Sequence, residues 1–212
     1  MSKSEEHHLE ISLKCSYRTL NSLTSRVKRA WIVFHGYGQL TEYFLKKFEI
    51  LDPETNFILA PQGLSKFYLQ DHKRVGATWM TKEDRLTEID NQQRYLGAVI
   101  EKELAGFEGE LILFGFSQGV ATMGRFATFS KIKFDHMVLW AGSFPHDLEK
   151  EDLKGWPEDY KISYFSGHDD PYIKEGLIET QEKRMAELTG KEINANFFEG
   201  RHEILPELLL QI

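Results

Sequence analysis

The sequence predicts an α/β domain, a mainly parallel sheet with helices packed on both faces. Two observations carry this. Short, continuous apolar runs recur along the chain (Ala30–Phe34, Phe57–Ala60, Leu111–Phe114, Met137–Trp140), the form taken by strands buried on both faces. Between them stand segments of helical period, the clearest being Leu86, Ile89, Gln93, Leu96, Ile100 and Leu104. Buried strands that alternate with helices call for crossover connections, and hence for parallel pairing.

The elements follow in order. Leu9 to Tyr17 alternates apolar and polar residues and reads as a half-exposed strand. Ala30–Phe34 and Phe57–Ala60 are buried strands, ending at His35 and Pro61. The amphipathic helix covers Leu86 to Leu104. Leu111–Phe114 is a strand and Val120–Phe129 a helix. Met137–Trp140 and Ile162–Phe165 are strands, Lys174–Leu188 is a helix, Ala195–Phe198 a strand, and Ile204–Leu210 a short closing helix.

Composition bounds the function. At 212 residues, with 41% hydrophobic residues and no linker or repeat, the chain is expected to form one domain over residues 1–212 with a sizeable core. Its single cysteine, Cys15, excludes a disulfide scaffold. A net charge of −7 gives no general attraction to nucleic acid or anionic membrane. Neither a secretory leader nor an apolar run long enough to span a membrane is visible, so a cytoplasmic setting is expected.

In such sheets ligands bind beyond the carboxyl ends of the strands, so the residues after each run matter most. After Leu111–Phe114 comes Gly115-Phe116-Ser117-Gln118-Gly119, a G-x-S-x-G pattern between a strand and a helix. The spacing has a physical reason. The serine stands on a strained turn with its hydroxyl directed out of the sheet, the glycines let strand and helix approach, and the helix N-terminus favours developing negative charge. With 16 glycines in the chain, chance supplies such a pattern only about 0.07 times. A serine nucleophile needs a base oriented by a third group, expected in the order Ser, Asp or Glu, His. Ile162–Phe165 leads into Ser166-Gly167-His168-Asp169-Asp170-Pro171, and Ala195–Phe198 leads into Glu199-Gly200-Arg201-His202. His202 is therefore the expected base. By chemistry alone Asp169 and Asp170 are equal candidates for the acid.

His35-Gly36-Tyr37-Gly38, after an early buried strand, is the place for one oxyanion donor. The Tyr37 N–H, with Gly38 in second place, would act beside the N–H of Gln118. His35 is expected to brace this loop. His72, His136 and His146 read as surface or strand-edge residues, and His168 ranks behind His202.

These motifs together resemble the phospholipase/carboxylesterase family of α/β-hydrolases, which includes the acyl-protein thioesterases. The likeness runs from Trp31 to His202 and is carried by His35-Gly36-Tyr37-Gly38, Ala60-Pro61-Gln62, Trp79, Gly115-Phe116-Ser117-Gln118-Gly119, Ser143-Phe144-Pro145, Gly167-His168-Asp169-Asp170-Pro171 and Gly200-Arg201-His202. The resemblance implies a three-layer α/β-hydrolase fold, with Ser117, Asp170 and His202 as the catalytic residues, because the family acid stands just before Pro. It requires no metal or organic cofactor. Three departures stand out. His168 replaces the usual first Asp of the acid loop, Val120 replaces a frequent Gly, and residues 63–69 differ in composition.

The expected activity is hydrolysis of small to medium carboxylic esters or thioesters through an acyl-enzyme. Phe67, Tyr68, Leu69, Trp79 and Met80 are candidates for the acyl-site wall, or for plain core and lid packing. The rival class is a catalytically silent scaffold that binds a ligand or partner, which would lack a triad member. A cysteine-dependent hydrolase is disfavoured because Cys15 has no turn of the required kind around it. So few residues follow His202 that a minimal cap and an open cleft are expected.

Overall fold

The computed structural model describes residues 4–70, 72–174, 176–193 and 195–212. Among these described residues seven strands form the central sheet: β1 (Tyr17–Leu20), β2 (Arg29–Phe34), β3 (Asn56–Pro61), β6 (Glu110–Phe116), β7 (His136–Trp140), β8 (Lys161–Gly167) and β9 (Ala195–Phe198). Two more, β4 (Ser65–Tyr68) and β5 (Val75–Thr78), make a separate antiparallel hairpin. The sheet order is β1-β3-β2-β6-β7-β8-β9, with every pairing parallel except β1 on β3. In register, Trp31 faces Ile58 and Ile112, and Val138 faces Phe114 and Ser163.

The alternation of side chains along each strand builds two cores. From β2, Ala30, Ile32 and Phe34 enter one of them. There they meet helices α2 (Arg85–Leu104), α3 (Gln118–Ser130) and α4 (Leu177–Thr189) through residues such as Leu96, Val99, Met123, Phe126 and Met185. Trp31 and Val33 enter the other, with Phe114, Val138 and Trp140. Among the described residues that face is covered by short helical segments: α1 (Thr41–Phe44) with the 3-10 turn Leu45–Phe48, and the 3-10 turn Pro206–Gln211, which contributes Leu209. The molecule is thus three-layered, with a thick helical layer on one face and a thin one on the other. Among the described residues no helix is long and apolar enough to cross a membrane.

Several expectations are corrected. The first strand begins at Tyr17, and Leu9, Ile11 and Leu13 are exposed. The reason lies in the partner. Tyr17 pairs with Pro61, the last residue of β3, and the Gln62 N–H donates to Ser16 O as the final rung, so upstream residues find no strand to join. The closing helix is a 3-10 segment. The helix expected from Lys174 starts at Leu177, and Glu175 in that span lies outside the described residues. His136 is buried on central strand β7, its Nε2 2.9 Å from Ser163 Oγ on β8, and is not a surface or strand-edge residue.

Candidate active site

β6 passes into α3 through one residue, Ser117, whose φ of 54° and ψ of −120° lie in a sparsely populated region. For a residue with a side chain this costs about 1–3 kcal/mol and persists only where the surroundings enforce it. Here the Ser117 N–H donates to Trp140 O at 2.8 Å, and the Val120 N–H donates to Ser117 O at 3.0 Å. The flanking glycines are obligatory. A Cβ on Gly119 would lie 2.1 Å from Phe34 O, and one on Gly115 would lie 2.6 Å from Val120 Cα. The half-buried serine sits at the head of a 13-residue helix, where unpaired N–H groups favour an anion.

The loops that carry Asp170 and His202 meet beside Phe116, at the foot of this turn. His202 Nδ1 lies 2.7 Å from Asp170 Oδ2, and the Asp170 side chain is wholly buried. The other carboxylate oxygen accepts the Tyr172 N–H at 2.9 Å. Asp169 is exposed and joins the loop through its backbone, its N–H donating to Gly200 O at 3.0 Å. Geometry thus separates two acids that chemistry left equal. The His202 ring is packed between Phe116 (centroids 4.9 Å apart) and Tyr172 (4.6 Å). Trp140 ties both halves together, because its carbonyl holds Ser117 while its indole N–H donates to Glu203 O at 2.8 Å.

The loop after β2 completes the site. The Gly36 N–H donates to Gln39 Oε1 at 2.7 Å and the Gly38 N–H to Ala77 O at 2.8 Å. Among the described residues the intervening Tyr37 N–H has no partner within the chain, which leaves Tyr37 rather than Gly38 as the available donor. His35 braces this loop. Its Nε2 accepts the Gly63 N–H at 3.0 Å, so the proton is on Nδ1, which faces Gly36 O at 2.7 Å. Burial pushes the imidazole down to about 4, outweighing the hydrogen bond to Gly36.

A scan against protein families matches the phospholipase/carboxylesterase model over residues 17–212. The chain belongs to the phospholipase/carboxylesterase family. Structural relatives agree on the fold. Esterase PE8 superposes with a TM-score of 0.69 at 19% identity, over 94% of this chain and 96% of its own. Acyl-protein thioesterase 2 of Zea mays gives 0.67 at 14% identity, over 93% and 96%. A carboxylesterase of Bacillus cereus gives 0.63 at 14%, over 90% and 88%. No curated protein is a significant sequence match to this chain.

Within this hydrolase family frame the three departures find physical explanations. Val120 fits because residue 142 is glycine, where a Cβ would lie 2.7 Å from Val120 Cγ2. His168 is exposed and stacks on Phe197 at 5.2 Å, so the acid loop is braced by backbone bonds to β9 and its turn. Residues 63–69 carry β4, the first strand of the β4–β5 hairpin, which no periodicity in the sequence announces. Gln118 fastens that hairpin to the Ser117 turn. Its Oε1 accepts from Thr78 Oγ1 (3.0 Å) and the Trp79 N–H (3.2 Å), while its Nε2 donates to Met80 O (3.0 Å). Since Ala77 O holds Gly38, the short strand β5 spans both candidate oxyanion donors.

A cleft of about 670 Å³ opens beside His202 and Phe116, lined on its apolar side by Leu40, Tyr43, Phe44 and Leu69. Of the five residues considered for an acyl wall, only Leu69 lines it. For Trp79 the packing alternative describes the structure: it is fully buried, stacks on His35 at 4.7 Å and donates its indole N–H to His35 O, so it braces the loop. Phe67 packs on Tyr37 at 5.1 Å, and Tyr68 is exposed toward His72. Tyr43 and Phe44 were not anticipated, because no motif marks the helical turns after the oxyanion loop.

The buried histidines set an acid limit on stability. His35 and His136 are both held at about 4, His136 by burial and then by the charges of Lys161 and Arg29. In the unfolded chain they titrate near 6.5, so that state takes up protons first as the pH falls. Their contribution is fully present above 6.5 and is lost between 6.5 and 4, at up to about 1.4 kcal/mol per pH unit for fully buried His35. Urea midpoints should therefore fall steadily from pH 6.5 to 5, above the range of ordinary carboxylates; a flat profile would contradict this placement.

Proposed function

We infer that the protein is a serine hydrolase that cleaves small to medium carboxylic esters or thioesters through an acyl-enzyme. One observation supports this above the rest: a buried Asp170 paired at 2.7 Å with His202, whose ring rests on Phe116, the residue that precedes Ser117 and its strained turn. In this reading His202 carries its proton on Nδ1, toward Asp170, and presents Nε2 as base. Ser117 Oγ attacks the carbonyl carbon and gives its proton to Nε2. The oxyanion is held by the N–H groups of Tyr37 and Gln118. The tetrahedral intermediate collapses, and the leaving alcohol or thiol takes the proton from Nε2. Water then attacks the acyl-enzyme, His202 again accepts a proton, and the acid is released with Ser117 restored. Asp170 fixes the ring and stabilises the imidazolium.

The substrate is a small molecule or the acyl portion of a larger one, entering through the open cleft. A cytoplasmic setting belongs to the same reading. Hydrolysis of p-nitrophenyl esters of increasing acyl length, with one acyl thioester, tests the reading. It expects turnover that peaks at short or medium chains and vanishes in Ser117→Ala. Equal rates in wild type and variant would overturn it.

The role given to β5 has its own test. Removing the Thr78 hydroxyl loosens Gln118 and with it the spacing of the two donors. Thr78→Val should lower kcat by about tenfold to a hundredfold with little change in KM, since oxyanion contacts act in the transition state. Thr78→Ser, which keeps the hydroxyl, should restore most of the rate.

A further inference from the structure

The cleft beside His202 carries a sign of charge that the chain as a whole does not. Lys+Arg number 26 against 33 for Asp+Glu, yet among the described residues that line the cleft Lys47, Lys73 and Arg74 stand against one carboxylate, Glu203, with Lys73 and Arg74 each already engaged in an interaction of its own. That carboxylate is engaged in its own turn, accepting the Arg201 N–H at 3.2 Å. Lys47 is the informative cation. It stands on the 3-10 turn Leu45–Phe48, between buried Leu45 and Phe48, and is itself half-buried. Among the described residues its ammonium has no ion pair, whereas Arg18, Arg29, Arg85, Arg94 and Arg125 each have one. An ammonium that lines an apolar-walled cleft without a counter-charge is a partner for a ligand anion. The wall accommodates a hydrocarbon chain, and a few polar groups in such a pocket set specificity.

We propose that this cleft selects esters or thioesters bearing a second, remote carboxylate, received by Lys47, while the ester carbonyl is held at Ser117. This rests on the hydrolase reading above and names its substrate class. The carboxylate can belong to the acyl chain or to the leaving group, and two pairs of probes separate these. p-Nitrophenyl hemiadipate against p-nitrophenyl hexanoate places the charge on the acyl side, and 4-carboxyphenyl acetate against phenyl acetate places it on the other.

In at least one pair, at low ionic strength, the anionic-to-neutral ratio of kcat/KM should fall roughly fivefold to tenfold in Lys47→Gln. Lys47→Arg should retain most of that preference, and high salt should erode it. A ratio unmoved by Lys47→Gln in both pairs overturns the proposal. Calorimetry with adipate and hexanoate decides it without turnover, so its failure is distinguishable from failure of the hydrolase reading. Adipate should bind wild type more tightly than hexanoate does and lose that advantage in Lys47→Gln. Equal binding of the two acids to wild type would overturn the inference even if esters are hydrolysed.

Discussion

Replacing Ser117 with alanine should lower kcat/KM for ester hydrolysis by about 10⁴-fold or more while leaving the protein folded. The size follows from the chemistry. Without the hydroxyl there is no acyl-enzyme, and the residual rate comes from the oxyanion donors and from water admitted by chance. The fold should be indifferent, because the strained turn is enforced by the Trp140 carbonyl and by the glycines at 115 and 119, none of which touches Oγ. Alanine carries the same backbone strain as serine at φ 54°. Thermal melting should therefore shift little. Loss of activity together with loss of folding would leave a structural role for Ser117 and remove support for nucleophilic attack.

The second large effect separates the two neighbouring acids. Asp170→Asn should reduce kcat by about 10³–10⁴-fold, because an amide at that position stabilises the wrong tautomer of His202 and no imidazolium. Asp169→Asn should change kcat by no more than a few-fold. Its carboxylate is exposed, and the bond that ties residue 169 into the loop is made by the backbone N–H, which the substitution keeps. The reverse order would move the orienting role to Asp169 and break the link between burial at 170 and catalysis. Measuring kcat for both variants on one ester suffices.

Much of this was legible in the sequence for identifiable reasons. Strands such as Ala30–Phe34 and Met137–Trp140 are buried on both faces, so they appear as unbroken apolar runs that no surface constraint interrupts. Ser117, the acid loop and His202 stand at the ends of such runs, where the topology of a parallel sheet brings them to one edge. What stayed hidden depended on contacts between distant segments. The β4–β5 hairpin has little periodicity of its own and is held by Gln118, Gly38 and Gln39. Trp79 stood open between pocket wall and core because an aromatic near a site can serve either end, and only packing on His35 decides for the core. His136 is polar, yet Ser163 on the adjacent strand satisfies it inside the sheet. Leu9, Ile11 and Leu13 carry the alternation of a strand, and the end of β3 at Pro61 leaves them none to pair with.

The central claim is that Ser117 is a nucleophile activated by the His202–Asp170 pair, and active-site labelling tests it most directly. A fluorophosphonate reacts with an activated serine and with few others. Intact-mass measurement on folded protein should show one adduct on wild type, mapped to Ser117, with none on Ser117→Ala and much slower labelling of Asp170→Asn. Folded wild type that takes up no label, or an adduct that persists in Ser117→Ala, would contradict the claim.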